Sequence, residues 1–258
     1  MRLSDRVAIV TGGSRGIGRA YTERFLREGA SVVIADIDDA NGETTRSELR
    51  ELGPVEYVHC DISDASSADA CVRTAVEHFG RIDILVNNAA LYGDWEMANQ
   101  SFDYLKQVFD VNLHGVWLMT RAVAPQMVEQ EYGRIVNQAS AAAYNYRAPI
   151  RADEFEGLNA FNYQQTKWGV VGLTKFSAGQ LGRWNITVNC IAPGVIATDA
   201  TLKVVPQPVL ETLAEQQAVS GVLHANDLTG TAVFFAAEEA RFVTGQVLVV
   251  DGGKYMPA

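Results

Sequence analysis

The side chains of Tyr163 and Lys167 are suited to proton transfer and lie four residues apart in the chain. In a helix this spacing places both side chains on one face. A tyrosine phenol is a poor base at its ordinary pKa of about 10, but a neighbouring ammonium group favours the phenolate. The pair therefore predicts a tyrosine that exchanges a proton with a reacting group near neutral pH. Because this spacing is common in helices, a surface pair without a chemical role is the alternative interpretation.

A glycine-rich segment, Thr11–Gly18, follows the first apolar run of the chain, Val7–Val10. Glycines at such a turn let the backbone approach a pyrophosphate with no Cβ in the way. The helix that follows offers free N–H groups and a partial positive charge. A strand before the turn and a helical pattern after it are the context that a dinucleotide-binding site requires. A tight strand–helix turn without a ligand is the structural alternative.

Asp36 ends the second apolar run, 18 residues after Gly18. A carboxylate at this position accepts hydrogen bonds from both ribose hydroxyls of an adenosine, and it repels the 2′-phosphate of NADP. Arg15 acts in the opposite direction, because a cation in the glycine-rich turn pairs with such a phosphate. Since a phosphate against Asp36 carries the larger penalty, we expect NAD and regard NADP as less favoured. The structural alternative for Asp36 is a helix N-cap.

The elements that must position these residues are short β-branched runs that alternate with segments of helical periodicity. This alternation indicates βαβ units and a mostly parallel sheet covered on both faces. We therefore predict the α/β class, with one doubly wound domain over residues 1–258 and seven strands. The predicted strands are Val7–Val10, Ser31–Ala35, Val55–Cys60, Ile82–Val86, Arg134–Asn137, Thr187–Ile191 and Gln246–Val250. The predicted helices include Gly16–Glu28, Ala65–Phe79 and Tyr163–Leu181.

Two segments have no simple pattern. Asn99–Gln130 is long for one helix, and Pro125 is expected to kink or cap it. Ala141–Asn162 has no clear period and is predicted to be a long loop. A loop of that length inside a compact domain is usually functional or disordered.

The composition is ordinary for a globular protein, with 48% apolar and 20% charged residues and a formal net charge of −10. The negative charge disfavours nucleic acid or an anionic membrane surface as a partner. The N-terminal residues lack the apolar core of a signal peptide, and no uncharged run approaches the roughly 18 residues that span a bilayer. Three scattered cysteines indicate reduced thiols, and four dispersed histidines do not support a metal site. We therefore expect a cytoplasmic protein without a bound metal.

The features above occur together with several others along the chain. Each is weak singly, but jointly they are highly specific, and the chain resembles the short-chain dehydrogenase/reductase family over essentially its whole length. The resemblance implies a seven-stranded Rossmann fold, usually in a homotetramer or homodimer. The matching residues are Thr11–Gly18, Asp36, Asp61, Asn87-Asn88-Ala89-Ala90, Asn112, Ser140, Tyr163, Lys167, Pro193-Gly194, Thr244-Gly245-Gln246 and Asp251-Gly252-Gly253.

The resemblance implies four catalytic residues. Ser140 is expected to hydrogen-bond the substrate oxygen, and Tyr163 is expected to donate or accept the proton. Lys167 is expected to hold the nicotinamide ribose and to lower the pKa of Tyr163, while Asn112 positions a water that links Lys167 to solvent. The structural alternatives are a strand-end turn residue for Ser140 and a backbone-bonded helix amide for Asn112.

The resemblance also implies a set of cofactor contacts. Asp61 is expected to meet the adenine amino group, and Asn88 and Ala89 are expected to line the ribose on the adenosine side. The segment that begins at Pro193 is expected to bind the nicotinamide carboxamide. For Asp61 the structural alternative is a cap of the next helix. The full set is Gly12, Ser14, Arg15, Gly16, Ile17, Gly18, Asp36, Ile37, Asp61, Ile62, Asn88, Ala89, Tyr163, Lys167, Pro193, Gly194, Ile196 and Thr198.

The chain departs from the family pattern at two points. Ala90 stands where the family usually has a glycine, and a turn tolerates this methyl group if the residue has a negative φ. Ser140 and Tyr163 are 23 residues apart, about ten more than in the family, and the extra length lies between Tyr144 and Asn162. We expect the extra segment to bulge outward, so that both residues still converge.

Aromatic side chains in the segments that would form the substrate pocket suggest an apolar or ring-containing substrate. We expect substrate contacts from Ser140, Trp95, Tyr144 and Tyr163, although ordinary packing explains the aromatic residues equally well. Two arginines of the long loop suit a substrate carboxylate, but acidic neighbours favour local salt bridges instead. Thr198–Val219 is interpreted as a mobile lid over the substrate.

Together these inferences predict an NAD-dependent oxidoreductase that interconverts a secondary alcohol and a ketone of a small molecule, with Tyr163 as acid or base. The nearest alternative is a 3-oxoacyl thioester reductase that uses NADPH, which Asp36 and the net charge disfavour. A catalytically silent, cofactor-binding regulatory module is the second alternative. The presence of all four expected catalytic residues disfavours that module.

Overall fold

Seven parallel strands form one sheet at the centre of the structure, a computed structural model that describes residues 1–91, 101–145 and 162–257. The strands are β1 (Val7–Thr11), β2 (Ser31–Asp36), β3 (Val55–His59), β4 (Ile84–Asn87), β5 (Gly133–Gln138), β6 (Ile186–Pro193) and β7 (Val247–Val250). Their order across the sheet is β3-β2-β1-β4-β5-β6-β7, and every pair is parallel. The predicted α/β class and seven-stranded parallel Rossmann sheet are therefore confirmed, with strand bounds shifted by at most two residues. The single domain over residues 1–258 stays a prediction.

Helices occupy the connections between strands and cover both faces of the sheet. They are α1 (Gly16–Arg27), α2 (Asp39–Leu49), α3 (Ala65–Phe79), α4 (Phe102–Phe109), α5 (Gly115–Glu129), α6 (Asn162–Leu181), α7 (Asp199–Val204), α8 (Gln207–Glu215) and α9 (Ala225–Ala236). Buried side chains of α1, α2 and α9 pack on one face of the sheet, and those of α3, α5 and α6 pack on the other. Both faces are thus covered, as the alternation of strands and helices predicted.

The side chains of β1 alternate between two apolar cores, because successive residues of a strand point to opposite faces of the sheet. Ala8 and Val10 enter the core beneath α1 and α9, whereas Ile9 enters the core beneath α3 and α5. All three side chains are fully buried. Burial on both faces explains why this strand is a continuous apolar run in the sequence.

The sheet changes winding direction between β1 and β4. β1 pairs with β2 on one side and with β4 on the other. The helix after β1 packs on one face, while α5, which follows β4, packs on the opposite face. A crevice therefore opens between the carboxyl ends of these two strands, and this is where doubly wound sheets bind their ligands.

The helical region after β4 corrects the expectation for Asn99–Gln130. α4 and α5 are joined without a loop by a π-helical turn, Asp110–His114, so the interruption lies there and not at the proline. Pro125 lies inside α5 and does not cap it. Pro125 and Arg121 are both exposed, so water can satisfy the Arg121 carbonyl that a proline four residues later cannot bond.

The predicted long loop Ala141–Asn162 is partly helical. Residues Ala141–Tyr144 form a 3₁₀ turn directly after β5, and Asn162 is already the first residue of α6. Residues 146–161 lie outside the described part of the chain. Among the helices that are described, none combines the length and the apolar character needed to cross a membrane.

Candidate active site

A cavity of about 1260 Å³ opens at the carboxyl edge of the sheet. Its wall contains residues that follow or end all seven strands, from Gly12 after β1 to Asp251 after β7. Pockets for one small ligand usually measure about 300–1,000 Å³, so this cavity has room for a cofactor and a substrate together. The topological switch point predicted a ligand site at this edge, and the cavity lies there.

The glycine turn, Thr11–Gly18, forms one wall of the cavity and leaves no room for a side chain at Gly12 or Gly18. A Cβ on Gly18 would lie 2.0 Å from the carbonyl oxygen of Gly12. A Cβ on Gly12, whose φ is +62°, would lie 2.9 Å from Cα of Ala89. Arg15 is the N-cap of α1, and no side chain in the described ranges caps it, so the first N–H groups of the helix remain open to an anion. The turn therefore fits the pyrophosphate of a dinucleotide.

Asp36 lies at the end of β2 with its side chain turned to the cavity wall. Its Oδ2 accepts hydrogen bonds from the backbone N–H of Ser14 at 3.1 Å and from the Ser14 hydroxyl at 2.5 Å. Asp38, and not Asp36, caps α2, because Asp38 accepts the N–H of Asn41. The guanidinium of Arg15 is largely exposed and lies 3.7 Å from Asp38. The carboxylate of Asp36 thus faces the cavity as a held acceptor, with a cation nearby.

The residues after β3 extend the same end of the cavity. Asp61 and Ile62 line it together with the exposed Ile37. Oδ1 of Asp61 accepts from the backbone N–H and the hydroxyl of Ser63, whereas Asp64 is the residue that caps α3. Asp61 is therefore a turn residue at the cavity wall rather than the helix cap that was its structural alternative.

Tyr163 and Lys167 lie in the first two turns of α6 and both line the cavity. Nζ of Lys167 lies 5.6 Å from the centre of the Tyr163 ring and donates to the carbonyl oxygen of Gln138 at 2.9 Å. The Lys167 side chain is only 2% exposed, and this burial lowers its pKa to about 8. The predicted shared face is therefore present, and the ammonium is close enough to influence the phenol.

Ser140 lies directly after β5 and lines the same cavity as Tyr163 and Lys167. Its Oγ accepts the N–H of Ala142 at 3.1 Å and caps the 3₁₀ turn. That bond uses one lone pair of the hydroxyl and leaves its proton to be donated. The longer spacing between Ser140 and Tyr163 thus leaves both residues at one cavity.

Two predicted residues are engaged with backbone groups. Asn112 is fully buried in the π-helical turn, where its amide bonds both the N–H and the C=O of Leu91 and approaches Thr166. This is the backbone-bonded amide that was its alternative, and the water link to Lys167 stays a prediction. Asn88 lines the cavity and donates to the carbonyl oxygens of Thr11 and Gly12. Ala90 is not among the residues with positive φ, so its methyl group is accommodated.

The segment after β6 closes the far end of the cavity. The N–H of Gly194 donates to Val250, and a Cβ on Gly194 would lie 2.9 Å from Cβ of Asp251. Thr198 caps α7 and faces the glycine turn, since a Cβ on Gly16 would lie 3.7 Å from its methyl group. Pro193, Gly194, Ile196 and Thr198 all line the cavity. The two ends of the expected dinucleotide site therefore belong to one space.

The expected substrate contacts are only partly placed. Trp95 lies outside the described residues, as do the arginines of the long loop. Tyr144 does not line the cavity, and its ring packs edge-on against Trp168, which does. The predicted lid Thr198–Val219 contains α7 and α8, and Pro206 precedes α8 as its N-cap.

Sequence reasoning missed Gln138 and part of an aliphatic wall of the cavity. Gln138 ends β5 at the cavity floor, and the only signal was a polar residue at the end of an apolar strand. An aliphatic wall comes from α8, which lies inside the predicted lid Thr198–Val219, and from Val222 and Leu223, which follow that stretch and were not predicted. We define this aliphatic wall as Val209, Leu210, Leu213, Val222 and Leu223.

The comparison with known families agrees with the site. A family model described as enoyl-(acyl carrier protein) reductase matches residues 12–254. The chain belongs to the short-chain dehydrogenase/reductase family. Enzymes of this family are oxidoreductases that bind a nicotinamide cofactor.

Individual members of the family are similar over nearly the whole chain. An uncharacterized oxidoreductase of Mycobacterium tuberculosis is 41% identical over 254 residues, which cover 97% of both chains. A (2S)-[(R)-hydroxy(phenyl)methyl]succinyl-CoA dehydrogenase subunit of Thauera aromatica is 38% identical over 98% of both chains. Among solved structures, a levodione reductase superposes with a TM-score of 0.90 at 30% identity, with 98% of each chain covered.

Proposed function

We propose that this short-chain dehydrogenase/reductase is an NAD-dependent enzyme that interconverts a secondary alcohol and a ketone of an apolar, cyclic or aromatic small molecule. The observation that carries the proposal is the convergence of Ser140, Tyr163 and Lys167 on the cavity that also contains the glycine turn. The reaction needs a proton-transfer group and a dinucleotide-binding site, and one cavity contains the residues suited to both. A cytoplasmic location and a homotetramer or homodimer are part of the same proposal.

The choice of NAD rests on Asp36. Its carboxylate lines the cavity beside the turn and suits a ribose diol, whereas a 2′-phosphate there would meet a negative charge. The glycine turn, Asp61 and the segment from Pro193 to Thr198 would hold the rest of the cofactor. When bound, the nicotinamide accepts the hydride in alcohol oxidation or supplies it in ketone reduction.

The proton chemistry belongs to the protein. Ser140 donates a hydrogen bond to the substrate oxygen, and Tyr163 takes the proton of the alcohol or returns it to the ketone oxygen. The ammonium of Lys167, held by the Gln138 carbonyl, stabilises the phenolate that alcohol oxidation needs. Lys167 is 2% exposed, so its charge acts across little water and is only weakly screened.

The apolar character of the substrate is supported by the aliphatic wall and by the aromatic rings of Tyr163 and Trp168 in the cavity lining. The names of two relatives agree with this class. One is a dehydrogenase named for a substrate with a hydroxy(phenyl)methyl group, and the other is named a levodione reductase. A ring-bearing secondary alcohol or its ketone is therefore the first substrate class to test.

One observation favours the competing function, a 3-oxoacyl thioester reductase that uses NADPH. The Arg15 side chain is 72% exposed beside the cavity, and its pairing with Asp38 spans 3.7 Å. It is therefore free to turn to a 2′-phosphate. Tight NADPH use with thioester substrates would select this function over the proposed one.

The test is NADH formation, followed by near-ultraviolet absorbance, with NAD and a panel of aliphatic, cyclic, aryl and acidic secondary alcohols. We expect turnover with ring-bearing alcohols, and Tyr163→Phe lowers kcat by about 10²–10⁴-fold because the proton acceptor is lost. The matched control is Tyr132→Phe, which removes a hydroxyl before β5 at the opposite edge of the sheet. Equal loss in both variants, or full activity of Tyr163→Phe, contradicts the assigned role.

A further inference from the structure

A chain of hydrogen bonds, buried at Tyr21 and Gln138 and half-buried at Asn88, connects the floor of the cavity to the glycine turn. We propose that Gln138 is a positioning residue, which fixes the glycine turn of the cofactor site and Lys167 relative to each other. Tyr21 orients the side-chain amide of Gln138. The proposal rests on the proposed function, because it concerns the same dinucleotide seat. Neither Tyr21 nor Gln138 was predicted as a site residue from the sequence.

The hydrogen-bond chain runs through the side chains of three residues and ends on two backbone carbonyl groups. The hydroxyl of Tyr21, in α1, donates to Oε1 of Gln138 at 2.6 Å. Nε2 of Gln138 donates to Oδ1 of Asn88 at 2.9 Å, and Nδ2 of Asn88 donates to the carbonyl oxygens of Thr11 at 3.0 Å and Gly12 at 3.2 Å. Every link therefore has hydrogen-bond length, and the last link ends on the glycine turn.

The hydrogen bonds of this chain all donate in one direction, and Tyr21 sets that direction. A primary amide has an accepting oxygen and a donating nitrogen, so a donor on Oε1 of Gln138 turns Nε2 towards Asn88. Tyr21 is fully buried, and burial raises its pKa well above the ordinary value, so the phenol stays a proton donor. A reversed Asn88 would place its oxygen against two carbonyl oxygens, which is unfavourable in a buried site.

The end of the chain acts on the shape of the glycine turn. Asn88 holds the Gly12 carbonyl oxygen close to Gly18. A Cβ on Gly18 would lie 2.0 Å from that oxygen, so only glycine leaves room for it. A carbonyl held there cannot rotate towards the cavity, where it would repel a phosphate. The hydrogen bond from Asn88 therefore keeps the turn in the conformation that accepts an anion.

The same residue also fixes the other half of the site. The backbone oxygen of Gln138 accepts the ammonium of Lys167 at 2.9 Å. Gln138 is the last residue of β5 and is in register with Ile191 of β6, and its side chain is 7% exposed. One residue thus holds the cofactor seat through its side chain and Lys167 through its backbone.

The experiment measures the Kd of NAD by titration of the full chain, without substrate, for Tyr21→Phe, Gln138→Leu and the double variant. We expect each single variant to raise Kd about three- to tenfold, the effect of losing one or two buried hydrogen bonds. The double variant should be no weaker than the worse single variant, because both cuts break one chain. Thr120→Val is the matched control: it removes a buried hydroxyl that Asn87 contacts, and it should leave Kd unchanged.

Gln138→Glu separates orientation from mere packing. The ionised carboxylate that this substitution introduces cannot donate to Asn88, whereas its protonated form can. Burial favours protonation, while the Lys167 ammonium and the Tyr21 hydroxyl beside this residue favour the ionised form. The Kd of this variant relative to wild type should therefore fall towards one as the pH is lowered from about 8 to about 5.5, the range in which a buried carboxyl group titrates. Additive effects in the double variant, or a Kd ratio for Gln138→Glu that does not change with pH, overturn this proposal. If the wild type still binds NAD and turns over substrate, the proposed function is unaffected by that result. Wild type that binds neither NAD nor NADP overturns both.

Discussion

At the scale of single residues, the site depends on charged groups that are taken out of water. Lys167 is buried against a carbonyl oxygen, and Asp36 is 9% exposed against the hydroxyl and N–H of Ser14. Buried charges are stabilised only by nearby donors, acceptors or ligands. The proposed function gives each of these groups a partner: the ribose diol for Asp36, and the phenolate of Tyr163 for Lys167.

Asp36→Ala tests the basis of cofactor choice. The variant loses the acceptor for the ribose diol and the negative charge that repels a 2′-phosphate, so the Kd of NAD should rise at least about tenfold while that of NADP changes little or falls. Parallel titrations with both cofactors measure the ratio. Asp39→Ala is the control, because that nearby carboxylate bonds Tyr57 and His59 outside the cavity. An unchanged ratio in Asp36→Ala removes the argument for NAD.

At the scale of elements, the glycine turn and the start of α1 form one unit whose geometry excludes a side chain at Gly12 and at Gly18. The first residues of α1, Gly16 and Ile17, line the cavity, and the N-cap residue Arg15 makes no side-chain cap hydrogen bond. The turn lies in close contact with Asn88 and Ala89, so it packs the segment after β1 against the segment after β4. The cofactor seat is therefore a property of two strands and one helix together.

Gly18→Ala tests this unit. The new methyl group would lie 2.0 Å from the Gly12 carbonyl and 2.6 Å from Nδ2 of Asn88, so the turn must shift. We expect the Kd of NAD to rise more than about tenfold and the free energy of unfolding to fall by about 1–3 kcal/mol.

The matched control for that change is Gly230→Ala. Gly230 is exposed in α9, where a Cβ meets nothing within 4 Å, and alanine there should raise stability by up to about 1 kcal/mol. Urea unfolding and NAD titration of both variants give the comparison. Equal behaviour of the two alanine variants contradicts the steric explanation.

At the scale of the whole molecule, the buried ammonium of Lys167 links stability to pH. Its pKa in the folded protein is about 8, below the ordinary value of 10.5, so the unfolded chain binds more protons between these values. Stability from this group is therefore lowest below about pH 8 and increases as the pH rises towards 10.5. The penalty belongs to the folded protein, which must bury a charge that water would otherwise solvate.

The measurement compares wild type with Lys167→Met by urea unfolding without cofactor between about pH 8 and about pH 9.5. The difference in unfolding free energy, wild type minus variant, should increase by about 1.5 kcal/mol over this range. Taking the difference cancels the titration of remote groups. A difference that is flat or decreases with pH would show that Lys167 is not the buried cation that the structure describes.

The sequence alone determined the elements and their chemistry. Continuous apolar runs predicted the strands of a sheet buried on both faces, and the order of motifs predicted the family, since these signals are local or lie in register along the chain. Residue types also predicted the turn, Asp36 and the Tyr163–Lys167 face. Helical periodicity predicted the bounds of α3 to the residue, and the structure shows Asp64 as its N-cap and Gly80 as its C-cap.

The tertiary structure decided which side chains contact one another. Asn112 proved to bond the backbone of Leu91, Tyr144 packs on Trp168 beside the cavity, and Gln138 connects Tyr21 to Asn88 across three elements. Tyr21 and Gln138 are 117 positions apart, and no periodicity links them. Pairing at that separation is set by the order of strands in the sheet and by the direction in which each buried amide can donate, and both exist only once the chain has folded.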